Sequence, residues 1–326
     1  MIVPQYWAEA RLQQKHNGKQ ITVRRFGWSD TDQASAQASA DMRAQEALSR
    51  LLAGEKLERR EPKMPYNGAS GVPIREEIVS RHGSTIITRN AYGARCLNTP
   101  NALFADIDFP DKSYLRMGLR GCVAILLIAA ALGWLTHSRL AGIAFALLAF
   151  IASGPIAQWI QRRRPDETEA AEALARSRVE QFAQEHTDWS LRLYRTPAGL
   201  RVLATHQPFN PADPAVDAFF KAVQADAVYA AMCHNQQCFR ARVSPKPWRI
   251  GIQTNMRPRP GVWPIKPEQL GVRNAWIDQY ETQAPAYAAC RFLETLGSGV
   301  IHADIQAVQE LHDAMCQATQ AQMPLA

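Results

Sequence analysis

The chain has 326 residues, of which 47% are hydrophobic and 21% are charged, and it carries a formal net charge of +7 with a pI near 9.2. Internal repeats and low-complexity tracts are absent, so the composition excludes a solenoid and a largely disordered protein. The six cysteines show no paired framework, which favours reduced thiols over a disulfide scaffold. The positive charge favours binding to anionic lipid or to nucleic acid.

The residues before 110 contain clear signals of both strands and a helix. β-branched and aromatic residues indicate strands, and Ser29 and Asp30 are suitable caps for a helix. In chain order we predict a strand over 21–28, a helix over 30–52 ended by Gly54, a loop over 58–73, short strands around Gly83 within 77–87, and a buried strand over 102–109.

Two apolar runs, 117–135 and 140–160, follow this strand and are separated by a short polar link. Each run approaches the roughly 20 apolar residues that a bilayer-spanning helix requires. The basic residues concentrate outside the pair, at Lys112, Arg116, Arg120 and 162–164. The runs therefore predict a two-pass helical hairpin in the inner (plasma) membrane with both termini cytoplasmic. The alternative is a buried helical pair in a soluble core.

The second half of the chain repeats the mixture of helices and strands. A Thr196-Pro197-Ala198-Gly199 turn between two strand patterns indicates a β-hairpin. We predict helices over 166–186, 214–232, 275–296 and 303–318, strands over 189–195, 200–205 and 238–243, and a proline-rich loop over 256–267.

Strands and helices on both sides of the apolar runs predict an α+β fold, in which one mixed sheet with flanking helices is interrupted by the transmembrane hairpin. Residues 1–114 and 165–326 would be the two halves of one cytoplasmic α+β domain. Residues 115–164 would form the hairpin.

Asp106 and Asp108 lie at the carboxyl end of the predicted buried strand. Residues two apart on a strand point to the same face, and two carboxylates at this spacing suit Mg²⁺ or Mn²⁺. Such a metal would orient a nucleotide triphosphate. The alternative is a pair of acids that are solvated or salt-bridged where the strand leaves the core.

Two basic clusters are candidate phosphate-binding groups. The β-hairpin places Arg195, Arg201 and His206 near one another, and arginines bind phosphates through paired N–H donors. The alternative is an ordinary hairpin whose arginines face water.

The second cluster contains Arg240 and Arg242 on one strand face, with Lys246 and Arg249 close behind. Phe239 and Trp248 supply aromatic surface, and basic residues interleaved with aromatics are typical of contacts to single-stranded nucleic acid or nucleotides. The same strip is also consistent with salt bridges to Asp106 and Asp108, or with contacts to lipid headgroups.

Other motifs are weaker. Cys233 and Cys238 lack the second pair of ligands that a structural zinc site needs. Pairs of histidine and aspartate at 302/304 and 312/313 are expected at the surface. Segment 68–71 matches neither a P-loop nor a Rossmann fingerprint, and the chain has no nucleophile elbow.

The Asp106-Ile107-Asp108 strand and the 196–199 hairpin resemble the archaeo-eukaryotic primase (primase-polymerase) superfamily over about residues 100–250. The resemblance implies a related fold, in which the two aspartates hold a divalent metal and a further acid completes the site. Asp278 and Asp304 are candidates for that acid. The chain departs from the family pattern because Arg201 stands about where a histidine is expected, and His206 lies farther on.

Two functional hypotheses follow. The first is a membrane-anchored protein with a primase-like domain that binds nucleotide or single-stranded nucleic acid through a divalent metal, and its enzymatic form is a metal-dependent nucleotidyltransferase. The second is a non-enzymatic membrane scaffold whose Asp/Arg cluster is structural and whose partner is another protein.

Overall fold

The computed structural model describes residues 3–63, 72–109, 119–163 and 167–326. In this part of the chain the strands are β1 (Tyr6–His16), β2 (Lys19–Ser29), β3 (Glu77–His82), β4 (Thr85–Arg89), β5 (Arg95–Thr99), β6 (Phe104–Asp108), β7 (Ser190–Thr196), β8 (Gly199–Ala204), β9 (Phe239–Arg242) and β10 (Arg291–Gly297). The α-helices are α1 (Gln33–Leu52), α2 (Leu119–Leu135), α3 (Arg139–Arg163), α4 (Glu167–Glu185), α5 (Pro214–Val223), α6 (Ala227–Gln236), α7 (Pro267–Gln283) and α8 (Ala303–Cys316). They group into a large unit, Met1–Asp108 with Ala175–Ala326, and a small unit, Phe109–Leu174.

The described strands form three antiparallel sheets, so the predicted α+β class is confirmed and the single mixed sheet is wrong. β1 and β2 pair alone. The β6 sheet has the order β10-β7-β8-β6, and the β9 sheet has the order β3-β4-β5-β9. The sheets are antiparallel because most neighbours are joined by hairpins, which reverse the chain direction.

The alanines of α1 are explained by its packing on the β1-β2 hairpin. Ala36 and Ala40 are fully buried, and a Cβ atom added at Gly27 of β2 would lie 2.0 Å from the backbone N of Ala40. Small side chains on both elements therefore let the helix backbone approach the strand. The helix is capped by Asp32, whose carboxylate accepts a hydrogen bond from the Ser35 N–H at 2.6 Å, rather than by Ser29 or Asp30.

The predicted 196–199 turn joins β7 to β8, and the register then places Arg201 of β8 opposite Asp106 of β6. A Cβ atom on Gly199 would lie 2.0 Å from the carbonyl oxygen of Ile107. Glycine at this position allows β6, which carries both aspartates, to pair closely with β8. The inward-facing residues of these strands, such as Leu191 and Val202, are fully buried.

Two of the predicted helices are wrong in extent. The segment 214–232 is divided into α5 and α6, because Gln224 adopts a left-handed conformation and Asp226 caps the second helix. A helix was predicted over 275–296, but α7 ends at Gln283 and the last part of this segment forms the strand β10. Pairing of β10 with β7 satisfies backbone groups that a free sheet edge would leave open.

The small unit contains α2 and α3, joined by a tight link in which His137 has a positive φ of 51°. Many of its described large apolar side chains are exposed, with Trp134 at 77% and Leu140 at 79%.

Among the residues that the structure describes, no helix combines the length and the apolar character needed to cross a bilayer. The 17 residues of α2 span about 26 Å, less than the roughly 30 Å of a hydrocarbon core. α3 begins at Arg139 and ends at Arg162-Arg163, with Pro155, Gln158 and Gln161 in its last turns. The predicted transmembrane hairpin, and the two-pass inner-membrane location that depended on it, are wrong.

Several sequence predictions fall outside the described residues. These are the flanking residues Lys112, Arg116 and Arg164, part 64–71 of the predicted loop, and both predicted domain boundaries, at 114/115 and 164/165.

We expect Gly199→Ala to lower the free energy of unfolding by about 1–3 kcal/mol, because the added Cβ atom overlaps a backbone carbonyl that cannot move without shifting β6. Gly271→Ala is the matched control, since Gly271 lies in α7 with open space around its Cα, and we expect it to stabilise by about 0.5–1 kcal/mol. Urea unfolding measures both. Equal effects of the two substitutions would contradict the close β6-β8 approach.

Candidate functional site

The β6 sheet and the β9 sheet meet at their edge strands. The Tyr229 hydroxyl of α6 donates a hydrogen bond to the Phe104 carbonyl of β6 at 3.0 Å and accepts one from the Arg240 N–H of β9 at 3.4 Å. The Asp226 N–H, at the start of α6, donates to the Asp106 carbonyl at 3.0 Å. A cavity of about 340 Å³ lies at this junction, lined by residues of both sheets and of α6 that include Glu76, Tyr92, Asp106, Asp226, Arg240 and Arg242.

Arg201 and Asp106 form a two-pronged ion pair beneath this cavity. Arg201 Nε donates to Asp106 Oδ1 at 2.7 Å, and Nη2 donates to Oδ2 at 3.1 Å. Arg201 Nη1 donates to the Arg242 carbonyl at 2.9 Å. The Arg201 side chain is 2% exposed, and the Asp106 charge keeps its pKa raised despite the opposing effect of burial. Every nitrogen of the Arg201 guanidinium is thus engaged within the protein.

Arg240 is held in a similar way. Its Nη2 donates to both carboxylate oxygens of Glu76, at 2.8 and 2.9 Å, and its Nη1 donates to Asn98 Oδ1 at 2.8 Å. Glu76 also accepts a hydrogen bond from the Thr88 hydroxyl at 2.6 Å, and its side chain is 2% exposed. Arg240 therefore lines the cavity as part of a satisfied internal network.

The structure does not bring Arg195 or His206 to this cavity. Arg195 Nη1 donates to the carbonyls of Thr196 and Gly199 and holds the hairpin turn. His206 lies beyond the Phe104 end of β6, where its ring packs 4.7 Å from that of Trp189 and its Nδ1 accepts from the Ser190 N–H at 3.3 Å. Burial lowers the pKa of His206. The β8 register separates it from Arg201 by five residues.

Asp108 and Asp226 complete an acidic group with Asp106. Partial desolvation, followed by the charges of Asp106 and Asp226, raises the pKa of Asp108. Neither Asp278 nor Asp304 lines the cavity, whereas Asp106 and Asp226 do. The donor atoms of the three aspartates do not form a metal-ligand group among the described residues, and both oxygens of Asp106 accept from Arg201. Arg201 therefore already engages the Asp106 carboxylate, and the Mg²⁺ or Mn²⁺ site at Asp106 and Asp108 stays a prediction.

Arg242, Lys246 and Arg249 form a group of cations, which we call the open cation group. Within the described part of the chain none of them forms a salt bridge, and Arg242 Nε and Arg249 Nη1 are buried atoms without a hydrogen-bond partner. Burial, and then the charge of Arg242, lower the pKa values of Lys246 and Arg249. The charge of Asp108, joined by that of Asp106 at Lys246, opposes this lowering of the pKa values without reversing it, so a bound anion would stabilise the group further.

An aromatic pair borders the open cation group. The rings of Tyr92 and Trp248 meet edge to face with centroids 5.3 Å apart, and Lys246 Nζ lies 5.5 Å from the Trp248 ring. Trp248 is 49% exposed, whereas Phe239 is fully buried. Trp248, and not Phe239, can therefore offer a ring face to a ligand.

Comparison with protein-family models, with curated proteins and with solved structures found no match to this chain.

Sequence reasoning missed two residues of the site. Asp226 caps α6, with Oδ1 accepting from the Tyr229 N–H at 2.7 Å, and an aspartate before an apolar run was an available signal. Tyr92 lies in a short connection between β4 and β5, where no periodic pattern marks it. His312 was expected at the surface and is fully buried.

We expect Asp106→Ala to lower the free energy of unfolding by about 3 kcal/mol, because Arg201 would be left as a buried charge without its counter-ion. Asp108→Ala is the control on the same strand face, and its effect should stay within about 0.5 kcal/mol because Asp108 is exposed. Chemical unfolding of both variants is the measurement. A fully stable Asp106→Ala protein would contradict the structural role of the pair.

Asp108 also predicts a pH dependence of stability. Its folded-state pKa is raised, so the folded protein binds more protons than the unfolded chain and loses stability as the pH rises through this window. We expect Asp108→Asn to be more stable than the wild type at about pH 7 and equal to it at about pH 2, where the carboxyl is protonated in both states. Urea unfolding at both pH values, with exposed Asp278→Asn as the control, measures this. A wild-type protein that is more stable than Asp108→Asn at about pH 7 would contradict this prediction.

Proposed function

We propose that the cleft between the β6 and β9 sheets binds a nucleotide unit, either free or within single-stranded nucleic acid. The observation that carries this proposal is the open cation group of Arg242, Lys246 and Arg249, which is partly buried and forms no salt bridge among the described residues, although the charges of Asp106 and Asp108 act on it. Phosphate is the anion that such a group fits best, because guanidinium groups donate paired N–H bonds to phosphate oxygens and an ammonium group adds a point charge.

The aromatic pair supports a nucleotide rather than phosphate alone. Trp248 is exposed beside Lys246, and Tyr92 both contacts Trp248 and lines the cavity. Any of the bases can stack on an aromatic ring, since each base has a π-face, so such a contact does not depend on the nucleotide sequence. The juxtaposition of cations with exposed aromatic surface favours a base attached to the bound phosphate.

The resemblance to the primase-polymerase superfamily agrees with this choice of ligand and stays a prediction. The Mg²⁺ or Mn²⁺ site at Asp106 and Asp108 likewise stays a prediction, and a metal there would compete with Arg201 for the Asp106 carboxylate. We therefore propose binding and do not extend it to nucleotidyl transfer.

A second function, as a non-enzymatic interaction protein, is favoured by one specific observation. The pairs Arg201–Asp106 and Arg240–Glu76 are internal and satisfied, as a structural Asp/Arg cluster requires. This observation applies to those four residues and leaves the open cation group unexplained.

The test is binding of a fluorescent oligo-dT, an oligo-U of the same length and ATP over a series of salt concentrations. We expect Arg242→Ala, Lys246→Ala and Arg249→Ala each to weaken binding of the oligonucleotide. Each should reduce the slope of log K against log[salt] by about 0.7, the value for one phosphate contact on a single strand. Trp248→Ala should remove about 1–3 kcal/mol of binding free energy without changing that slope.

Lys221→Ala is the matched control, because Lys221 is an exposed lysine on α5 outside the cleft. Binding of ATP but not of the oligonucleotides would identify a free nucleotide as the ligand. A folded wild type that binds none of the three, or a triple cation variant that binds as tightly as the wild type, would contradict the proposal.

A further inference from the structure

Three soft or borderline metal-ligand side chains meet behind the cleft. Cys290 immediately precedes β10, and His312 and Cys316 lie four residues apart on one face of α8. One donor atom from each residue lies within 4.8 Å of the other two, and all three residues are fully buried. The distance from Cys290 Sγ to His312 Nε2 is 3.9 Å. We call Cys290, His312 and Cys316 the Cys/His cluster.

The imidazole of this cluster is oriented as in a metal site. His312 Nδ1 lies 3.0 Å from Asp313 Oδ1, and Asp313 Oδ2 accepts a hydrogen bond from Arg192 at 2.7 Å. The ring also packs against Phe104 and Tyr194, with centroids 5.1 and 4.9 Å away. A histidine that ligates a metal usually donates its other N–H to a carboxylate, which fixes the ring and its tautomer. Here that arrangement leaves Nε2 directed at the thiols.

We propose that the Cys/His cluster is a binding site for a thiophilic metal ion, with Zn²⁺ as its occupant. Two thiolates and one imidazole are ligands that zinc accepts readily, and they would fill three of its four positions, as in Cys₂His sites that keep the fourth open rather than in a closed structural site. Binding converts two thiols to thiolates and releases two protons to solvent, and the two negative charges balance the charge of Zn²⁺. This neutrality favours Zn²⁺ over Cu⁺, which would leave a net charge in a fully buried place.

The surroundings leave room for this assignment. Arg201 Nη1 lies 3.3 Å from His312 Nε2 but also donates to the Arg242 carbonyl at 2.9 Å, so it keeps a partner when Nε2 binds metal. The Cys316 thiol donates a weak hydrogen bond to that carbonyl at 3.9 Å. The competing chemistry is a disulfide between Cys290 and Cys316, which requires oxidation and excludes the metal.

The experiment measures bound metal in the full chain purified under reducing conditions. We expect about one Zn²⁺ per chain by mass spectrometry of the metal. Replacement by Co²⁺ should give the thiolate-to-cobalt charge-transfer bands of a Cys-ligated site. Cys290→Ser and Cys316→Ser should lose both signals, and Cys233→Ser, a buried cysteine outside the cluster, should keep them.

Asp313→Asn provides a second variant in case the cysteine variants fail to fold. Loss of the carboxylate that orients His312 should weaken Zn²⁺ affinity by roughly 10–100-fold in a chelator competition. A folded, reduced wild type without Zn²⁺ overturns the proposal, as does a Cys290–Cys316 disulfide in the freshly purified protein. Binding of Cu⁺ alone overturns the zinc assignment.

Discussion

Arg201 is a fully charged side chain that is 2% exposed, and the large unit is arranged around it. Its guanidinium joins β6 through Asp106 and β9 through the Arg242 carbonyl, and it lies 3.3 Å from His312 of α8. A buried charge is tolerated only when it is paired and hydrogen-bonded, so these contacts constrain where each element lies. The two four-stranded sheets consequently meet at β6 and β9, and the cavity opens at that junction.

This constraint divides the charged residues of the cleft into two sets. Arg201 and Arg240 are neutralised by Asp106 and Glu76, and they contribute to folding. The side chain of Arg242 belongs to the other set, with Lys246 and Arg249, although its backbone carbonyl is held by Arg201. In the proposed function, these cations beside an exposed tryptophan would form the surface that receives phosphate and base.

Local patterns predicted much of this arrangement. The buried strand with its two aspartates, the 196–199 hairpin and the shared face of Arg240 and Arg242 follow from strand periodicity and turn chemistry. Long-range pairing was beyond such patterns: no local signal shows that Arg201 faces Asp106, that β10 completes a sheet, or that Cys290 meets Cys316. The apolar runs misled because apolar composition alone does not establish a helix long enough for a bilayer. Asp226 was missed because one apolar segment was read as a single helix.

The most direct test is whether a ligand contacts the open cation group and leaves the Arg201–Asp106 ion pair untouched. NMR of the arginine Nε–H and tryptophan indole N–H groups during titration with a short oligo-dT measures this. The account predicts that the signals of Arg242, Arg249 and Trp248 shift in a saturable way. The Arg201 Nε–H signal, held by Asp106 Oδ1 at 2.7 Å, should stay in place and protected from exchange with solvent. A shift of the Arg201 signal as large as that of Arg242 would contradict the account, because it would place the ligand on the ion pair itself.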